Sequence, residues 1–291
     1  MRNFLIFLLI TGGLFQPAFS QVDLPANQSL TSPAERFFIQ QVSNGNMVDP
    51  FMMHSVVNHS IDTNAIHLFR KEVTLYMNKL TGRFDINTQA KHILKTVFYK
   101  VHQKYLKSYQ PYATFGDLIT EGRYDCLTGT ILYAWILDEL GFESEAIVTK
   151  HHTYLLINIA EGSLMFESTD ALNGFIYQPE EIASRLAEIE EEESSDQALA
   201  TGQLPVSFTE LIGLQYYNAA VNAYNNMDFI QSVDQLEKGS VFYRGEMMKQ
   251  FGAILARGIV ASDLDRNLKT AYLMKLTQTL NGRGSDMASL N

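Results

Sequence analysis

The chain is almost without cysteine: its 291 residues carry one, Cys126. A single thiol excludes any disulfide within the chain, so stability has to come from packing. Basic residues are in deficit. There are 22 lysines and arginines against 32 acids, and the net charge of −10 argues against nucleic acid or an anionic membrane surface as a partner. Seven histidines show no paired metal-ligand spacing, and no Gly-rich phosphate loop occurs, so no metal or organic cofactor is implied. Past the first twenty residues, no apolar run is long enough to span a bilayer.

Those first residues are MRNFLIFLLITGGLFQPAFSQ, with basic Arg2, an apolar run from Phe4 to Phe15, and a small-x-small triplet, Ala18-Phe19-Ser20. The pattern reads as a signal peptide over residues 1–20. An exported protein, periplasmic or extracellular, is expected, with no transmembrane helix after signal removal. A retained anchor is the alternative, and the cleavage-like triplet argues against it. About 270 residues then remain, enough for two domains.

Helical spacing dominates the first part. Ile66, Phe69, Val73, Met77 and Leu80 share one helix face, with Asn64 as N-cap. A second helix starts near Asn87 and aligns Ala90, Leu94, Val97, Phe98, Val101 and Tyr105. A third runs from Cys126 to Leu140, capped by Asp125 and ended by Gly141. The period then changes. SEAIVTK, HHTYLLINI and SLMFESTD are short runs rich in β-branched and aromatic residues, and they predict an antiparallel meander. An acidic run around Glu188 and Glu190–Glu193 reads as a solvated helix end or linker, and the stretch 181–203 is taken as an acidic linker. From Leu204 onward everything reads as helical. YYNAAVNAYNNMDFIQSVDQLEKGSVFYRG looks like one tetratricopeptide repeat, with Ala220, Ser232 and Gly239 where its two helices press together. A weaker helix pair follows. The organisation expected is an α+β domain over 33–180, the linker, and an all-helical domain over 204–282.

Cys126 falls in the first turn of its helix, where free amides and the dipole stabilise an anion and lower a thiol's pKa. Asp125 beside it acts in the opposite sense. A cysteine nucleophile needs a base, and the base an orienting partner. His151 and His152 lie on opposite faces of their strand. His151 falls on the apolar side with Leu155 and Ile157, whereas His152 shares the mixed side with Tyr154 and Asn158. His152 is the better base. For the third group, a hairpin closing around Glu161-Gly162 brings Asp170 within reach of His152 and leaves Glu167 about 13 Å away. Under that register Asp170 faces the wrong side, and a one-residue shift corrects it. Asp170 is the first choice and Glu167 the reserve.

The order of these pieces resembles the transglutaminase-like fold of cysteine hydrolases, of papain-like architecture. YDCLTGTILYAWILDELGF, HTYLLI and MFESTDALNGF carry the resemblance. The last is similar to the Asp-Pro-x-Asn-Gly segment of a bacterial branch in which helical repeats follow the core. The resemblance covers about Phe115 to Phe175. Two departures stand out: Tyr154 replaces the usual Trp, and aligning FEST with the common VDPT puts Glu167 at the acid position. The resemblance implies acyl chemistry on an amide or peptide bond, as a hydrolase or acyltransferase with a peptide or protein substrate. Cys126 would attack, His152 would protonate the leaving amine, Asp170 or Glu167 would hold the imidazole, and backbone amides at the start of the helix would hold the oxyanion. The competing expectation is a catalytically inactive relative that binds a peptide or protein partner on its helical repeats. A third, an intermolecular disulfide through Cys126, is disfavoured by a buried helix.

Overall fold

The computed structural model describes residues 32–82, 84, 88–194 and 203–281. The expected signal peptide (1–20), the helix start near Asn87, the linker residues 195–202 and residue 282 lie outside the described residues. The chain opens with α1 (Pro33–Ser43), α2 (Pro50–Val56), α3 (Thr63–Thr81) and α4 (Ala90–Tyr105). Prolines in the first turn and side-chain caps from Ser32 and Asp49 set the first two starts. Asp62, not Asn64, caps α3: its carboxylate accepts from the Asn64 N–H at 3.1 Å. The expected stripes on α3 and α4 are buried, except that Leu80 is only partly covered.

Next come β1 (Ser108–Tyr109), α5 (Phe115–Glu121), β2 (Arg123–Tyr124) and α6 (Cys126–Glu139), with β1 and β2 paired in parallel. Asp125 and Thr128 form a capping box at the head of α6, and Gly141 turns the chain at its tail with φ +78°. Leu127, Ile131, Leu132, Trp135 and Ile136 are all buried, so α6 is enclosed on most sides. The strands β3 (Ser144–Val148), β4 (Thr153–Ile159), β5 (Gly162–Phe166), β6 (Phe175–Ile176) and β7 (Leu204–Val206) form one antiparallel sheet in the order β6-β5-β4-β3-β7. The chain is thus a mixed helix-and-sheet protein, α+β at the level of its layers.

The sheet has two covered faces. Ala146, Val148, Leu155, Ile157, Leu164 and Phe166 join the main core with α6. Ile147, Tyr154, Leu156, Met165 and Ile176 face the other way and are covered by Ile182, Leu186 and Ile189 of α7 (Pro179–Ser194). That spacing of four and three residues is a helix stripe. Residues 181–194 are therefore not a linker: burial of those side chains holds them as a helix against the sheet. Nor is everything past Leu204 helical, because β7 pairs with β3 through Ala146↔Val206 and Val148↔Leu204.

The remaining helices are α8 (Glu210–Asn225), α9 (Phe229–Ser240), α10 (Glu246–Ala261) and α11 (Arg266–Asn281). In the first pair the Ser232 hydroxyl donates to the Ala220 carbonyl at 2.8 Å. A Cβ at Gly213 would sit 2.8 Å from the Gly239 carbonyl, so the backbones approach closely there. These helices share one core with the first part of the chain. Gln215 accepts from the Phe115 N–H at 3.0 Å and donates to His54 Nδ1 at 2.8 Å, while the Tyr216 hydroxyl and Lys238 reach Glu35.

Candidate functional site

Cys126 sits where the capping box places it, at the first helical position of α6. The residue keeps some exposed surface, yet its sulfur lies deep. Burial, joined by the charge of Asp125, pushes the thiol up to about 12, against the Thr153 hydroxyl and the N–H groups of Leu127 and Thr153 that meet the sulfur. One amide at the start of the helix, that of Thr128, is engaged already. Asp125 Oδ1 accepts from the Thr128 N–H and the Thr128 hydroxyl, each at 2.8 Å. Asp125 is itself pushed up to about 6 by burial, in spite of those bonds. The mouth beside it is aromatic. Tyr109 is exposed, and Cys126 and Asp125 lie near enough for their charges to join burial in pushing its phenol up to about 12. From α8, Asn218 donates to Asp125 at 3.5 Å and Asn225 to the Tyr112 hydroxyl at 3.1 Å.

His152 closes the β3–β4 hairpin. Its carbonyl accepts from the Thr149 N–H at 2.9 Å, and its own N–H donates to Thr149 Oγ1 at 3.0 Å. Strand alternation puts its ring on the α7 face, as it does Tyr154. Cys126, by contrast, meets Thr153, which points to the α6 face. His152 Nε2 donates to Glu192 Oε2 of α7 at 2.8 Å, and Nδ1 lies 4.0 Å from Glu167 Oε1. Among the described residues no hydrogen bond joins the Cys126 sulfur to the His152 ring. The helix dipole and the imidazole thus act on different groups. His151 is exposed in the hairpin turn.

The acids are ordered differently from the sequence expectation. The β4–β5 turn is Ala160-Glu161, so Ile159 pairs with Gly162 and Leu155 with Phe166. Carried one step further, that register sets Glu167 across from Tyr154, on the face of His152 and two residues along. Glu167, not Asp170, is the acid next to the imidazole. Asp170 is spent on a turn. Its carboxylate accepts from the Leu172 and Asn173 N–H groups at 3.0 and 2.8 Å. Burial acts to raise it, but those amides outweigh burial and hold it below the usual carboxylate range. Gly174 allows this turn: a Cβ there would lie 2.1 Å from the Glu167 carbonyl.

No family model, curated protein or solved structure matches the chain. What the site can do has to come from its own groups. Two of them went unread in the sequence, both from α7. Arg185 grips Glu167 with two bonds, Nε to Oε2 at 2.6 Å and Nη2 to Oε1 at 2.5 Å, and also pairs with Glu188 at 3.0 Å. The Glu167 contact raises the guanidinium above its ordinary value. Glu192 is held below the usual range, first by its bond to His152. The signal that could have found them is the Ile182, Leu186, Ile189 stripe, which fixes the face α7 turns to the sheet and puts Arg185 and Glu192 at its margins. No group of three or more metal-ligating side chains occurs among the described residues, and no helix there is long and apolar enough to cross a membrane.

Proposed function

We propose that this is an exported, non-catalytic binding protein of transglutaminase-like build, which takes an extended peptide or protein segment across the mouth beside Cys126. One observation carries the reading: the His152 ring turns both nitrogens toward carboxylates, Glu192 at 2.8 Å and Glu167 at 4.0 Å, and among the described residues no hydrogen bond joins it to the Cys126 sulfur. A thiol pushed up to about 12 supplies very little thiolate at neutral pH. Asp125 takes up one of the amides at the helix start, that of Thr128. What stays available is a recognition surface. Asn222 and Asn225 of α8 are exposed, and Asn218 is partly so. Their spacing of four and three places them on one helix face. Carboxamides both donate and accept, as an extended main chain requires, and Tyr109 and Tyr112 flank them with exposed rings.

A second reading, a Cys-His-Glu hydrolase or acyltransferase, is favoured by one contact, the 4.0 Å approach of Glu167 to His152. Iodoacetamide separates the two. Alkylation of Cys126 should stay slow up to high pH; a rate governed by a thiolate pKa below that of a free cysteine would overturn the binding reading. Peptides selected from a displayed random library should bind Cys126→Ser as well as wild type and lose affinity for the Asn218→Ala/Asn225→Ala variant.

A further inference from the structure

On the far end of α6 from Cys126 lies a cleft of about 490 Å³, within the roughly 300–1,000 Å³ range of small-molecule sites. Its origin is in the sheet. β7 covers β3 only from Ala146 to Val148, so the edge beside Ser144 is left open where the chain leaves Val206 for α8. The Ser207–Glu210 cap turns it sharply there: the Ser207 N–H donates to Glu210 Oε2 at 2.8 Å. Gly141, in the left-handed conformation, turns α6 away on the other side. Three packed elements therefore frame the space.

The walls are apolar, with Trp135, Phe142, Phe208 and Leu211 among them, and the charged lining groups are Asp138 and Glu143; no basic residue lines the cleft. Both acids are exposed, and among the described residues neither has an ion-pair partner. The neighbouring Glu139 is different, because Arg70 pairs with it at 3.3 Å. Arg70, over the Trp135 ring at 6.0 Å, is already paired with Asp49 and Glu139. A largely apolar cleft whose charged lining is two carboxylates suits an apolar body bearing one positive charge. An anion would meet repulsion there, and a neutral ligand would gain no charge attraction from the acids.

We infer that this cleft is a binding site for a small organic amine, protonated at neutral pH and carrying an aromatic or branched apolar body. The site is separate from the surface beside Cys126 and does not depend on how that surface is read.

Trp135 is the only tryptophan in the chain, so its emission reports directly on the cleft. Three probes share one skeleton: 4-phenylbutylamine, 4-phenylbutanol and 4-phenylbutyrate. Titrated into the full chain, the amine should change Trp135 emission saturably and bind most tightly, with the carboxylate weakest. Asp138→Asn/Glu143→Gln, two exposed and conservative changes, should weaken the amine roughly five- to tenfold and leave the alcohol unaffected. Equal binding of all three probes, an amine affinity untouched by the double variant, or no saturable change with the amine would each overturn the assignment.

Discussion

The two faces of the five-stranded sheet are built on different principles. On the α6 face the strands bury Leu155, Ile157 and Phe166 in the main core, and the polar groups are few and closed: Thr130 donates to the Thr153 carbonyl, and Thr153 meets Cys126. On the α7 face the apolar patch is small, and a chain of charges runs across it from Glu192 through His152 and Glu167 to Arg185 and Glu188. Cys126 and His152 thus sit in different settings. The thiol has hydrogen-bond donors but is desolvated and beside a carboxylate, and the imidazole has acids on both sides. The sheet sets the contacts of the Cys126 thiol and of the His152 imidazole on different faces. Packing explains why this arrangement persists. α7 is held to the outer face by its own stripe, so Glu192 is kept beside the imidazole whatever Cys126 does.

Truncation should expose the contrast most strongly. Ile157→Ala opens a hole in the main core, where surrounding helices cannot collapse, and should cost about 3–4 kcal/mol. Ile189→Ala, equally buried, lies under a single helix that can settle, and should cost about 2 kcal/mol. Urea midpoints at constant slope measure both; equal losses would mean that α7 is as firmly built in as α6. Next in size is the polar chain. Glu167→Ala leaves Arg185 facing the sheet without its two bonds and should cost about 2 kcal/mol, less than a fully buried pair because the guanidinium is partly exposed. Thr153→Val on the opposite face should stay within about 1 kcal/mol.

Asp125 gives a pH signature to the α6 side. Its folded pKa, raised to about 6, exceeds the unfolded value of about 3.9, so the folded state binds the proton more tightly. Its burial penalty is absent below the unfolded pKa, grows as pH rises to about 6, and is constant above. Buried His54 titrates in the opposite sense. Lowered to about 3 by burial, it withdraws stability as pH falls below about 6.5. The clean measurement is the difference between wild type and Asp125→Asn, which keeps an N-cap and leaves His54 alone. The variant should gain up to about 2–3 kcal/mol at pH 7, with the gain shrinking toward pH 4. Cys126 should also alkylate at lower pH, because one of the causes raising its thiol has been removed.

Periodicity made much of this legible. The α6 helix, its Asp125 cap, its Gly141 end and the three-strand meander follow from spacing and turn residues alone. The acid beside His152 did not, because it hangs on where the turn falls. A turn at Glu161-Gly162 sets Glu167 across from Leu156, four residues along from His152. The Ala160-Glu161 turn slides the pairing by two and sets it across from Tyr154, on the same face and two residues along. Similarly, the glutamate run hid α7, since charge density draws the eye from Ile182, Leu186 and Ile189. The pairing of β7 was illegible for a different reason. Leu204-Pro205-Val206 is too short to show alternation, and its partner lies far back in the chain.

The smallest effect is also the one that bears most directly on what His152 is free to do. Glu192 is exposed, and its bond to the imidazole should contribute no more than about 0.5 kcal/mol. Because its folded pKa is lowered, that contribution is present above the unfolded value of about 4.3 and is lost as pH falls through the folded one. Glu192→Gln should therefore leave the urea midpoint nearly unchanged while loosening the ring. Diethylpyrocarbonate should modify His152 faster in the variant, and high salt should bring wild type toward the same rate by screening the pair. If the rate is indifferent to both, α7 packing and Glu167 hold the imidazole by themselves. If the variant also acquires amidase activity that Cys126→Ser abolishes, the separation of thiol and base is a gate that Glu192 keeps shut, and the two faces belong to one latent site.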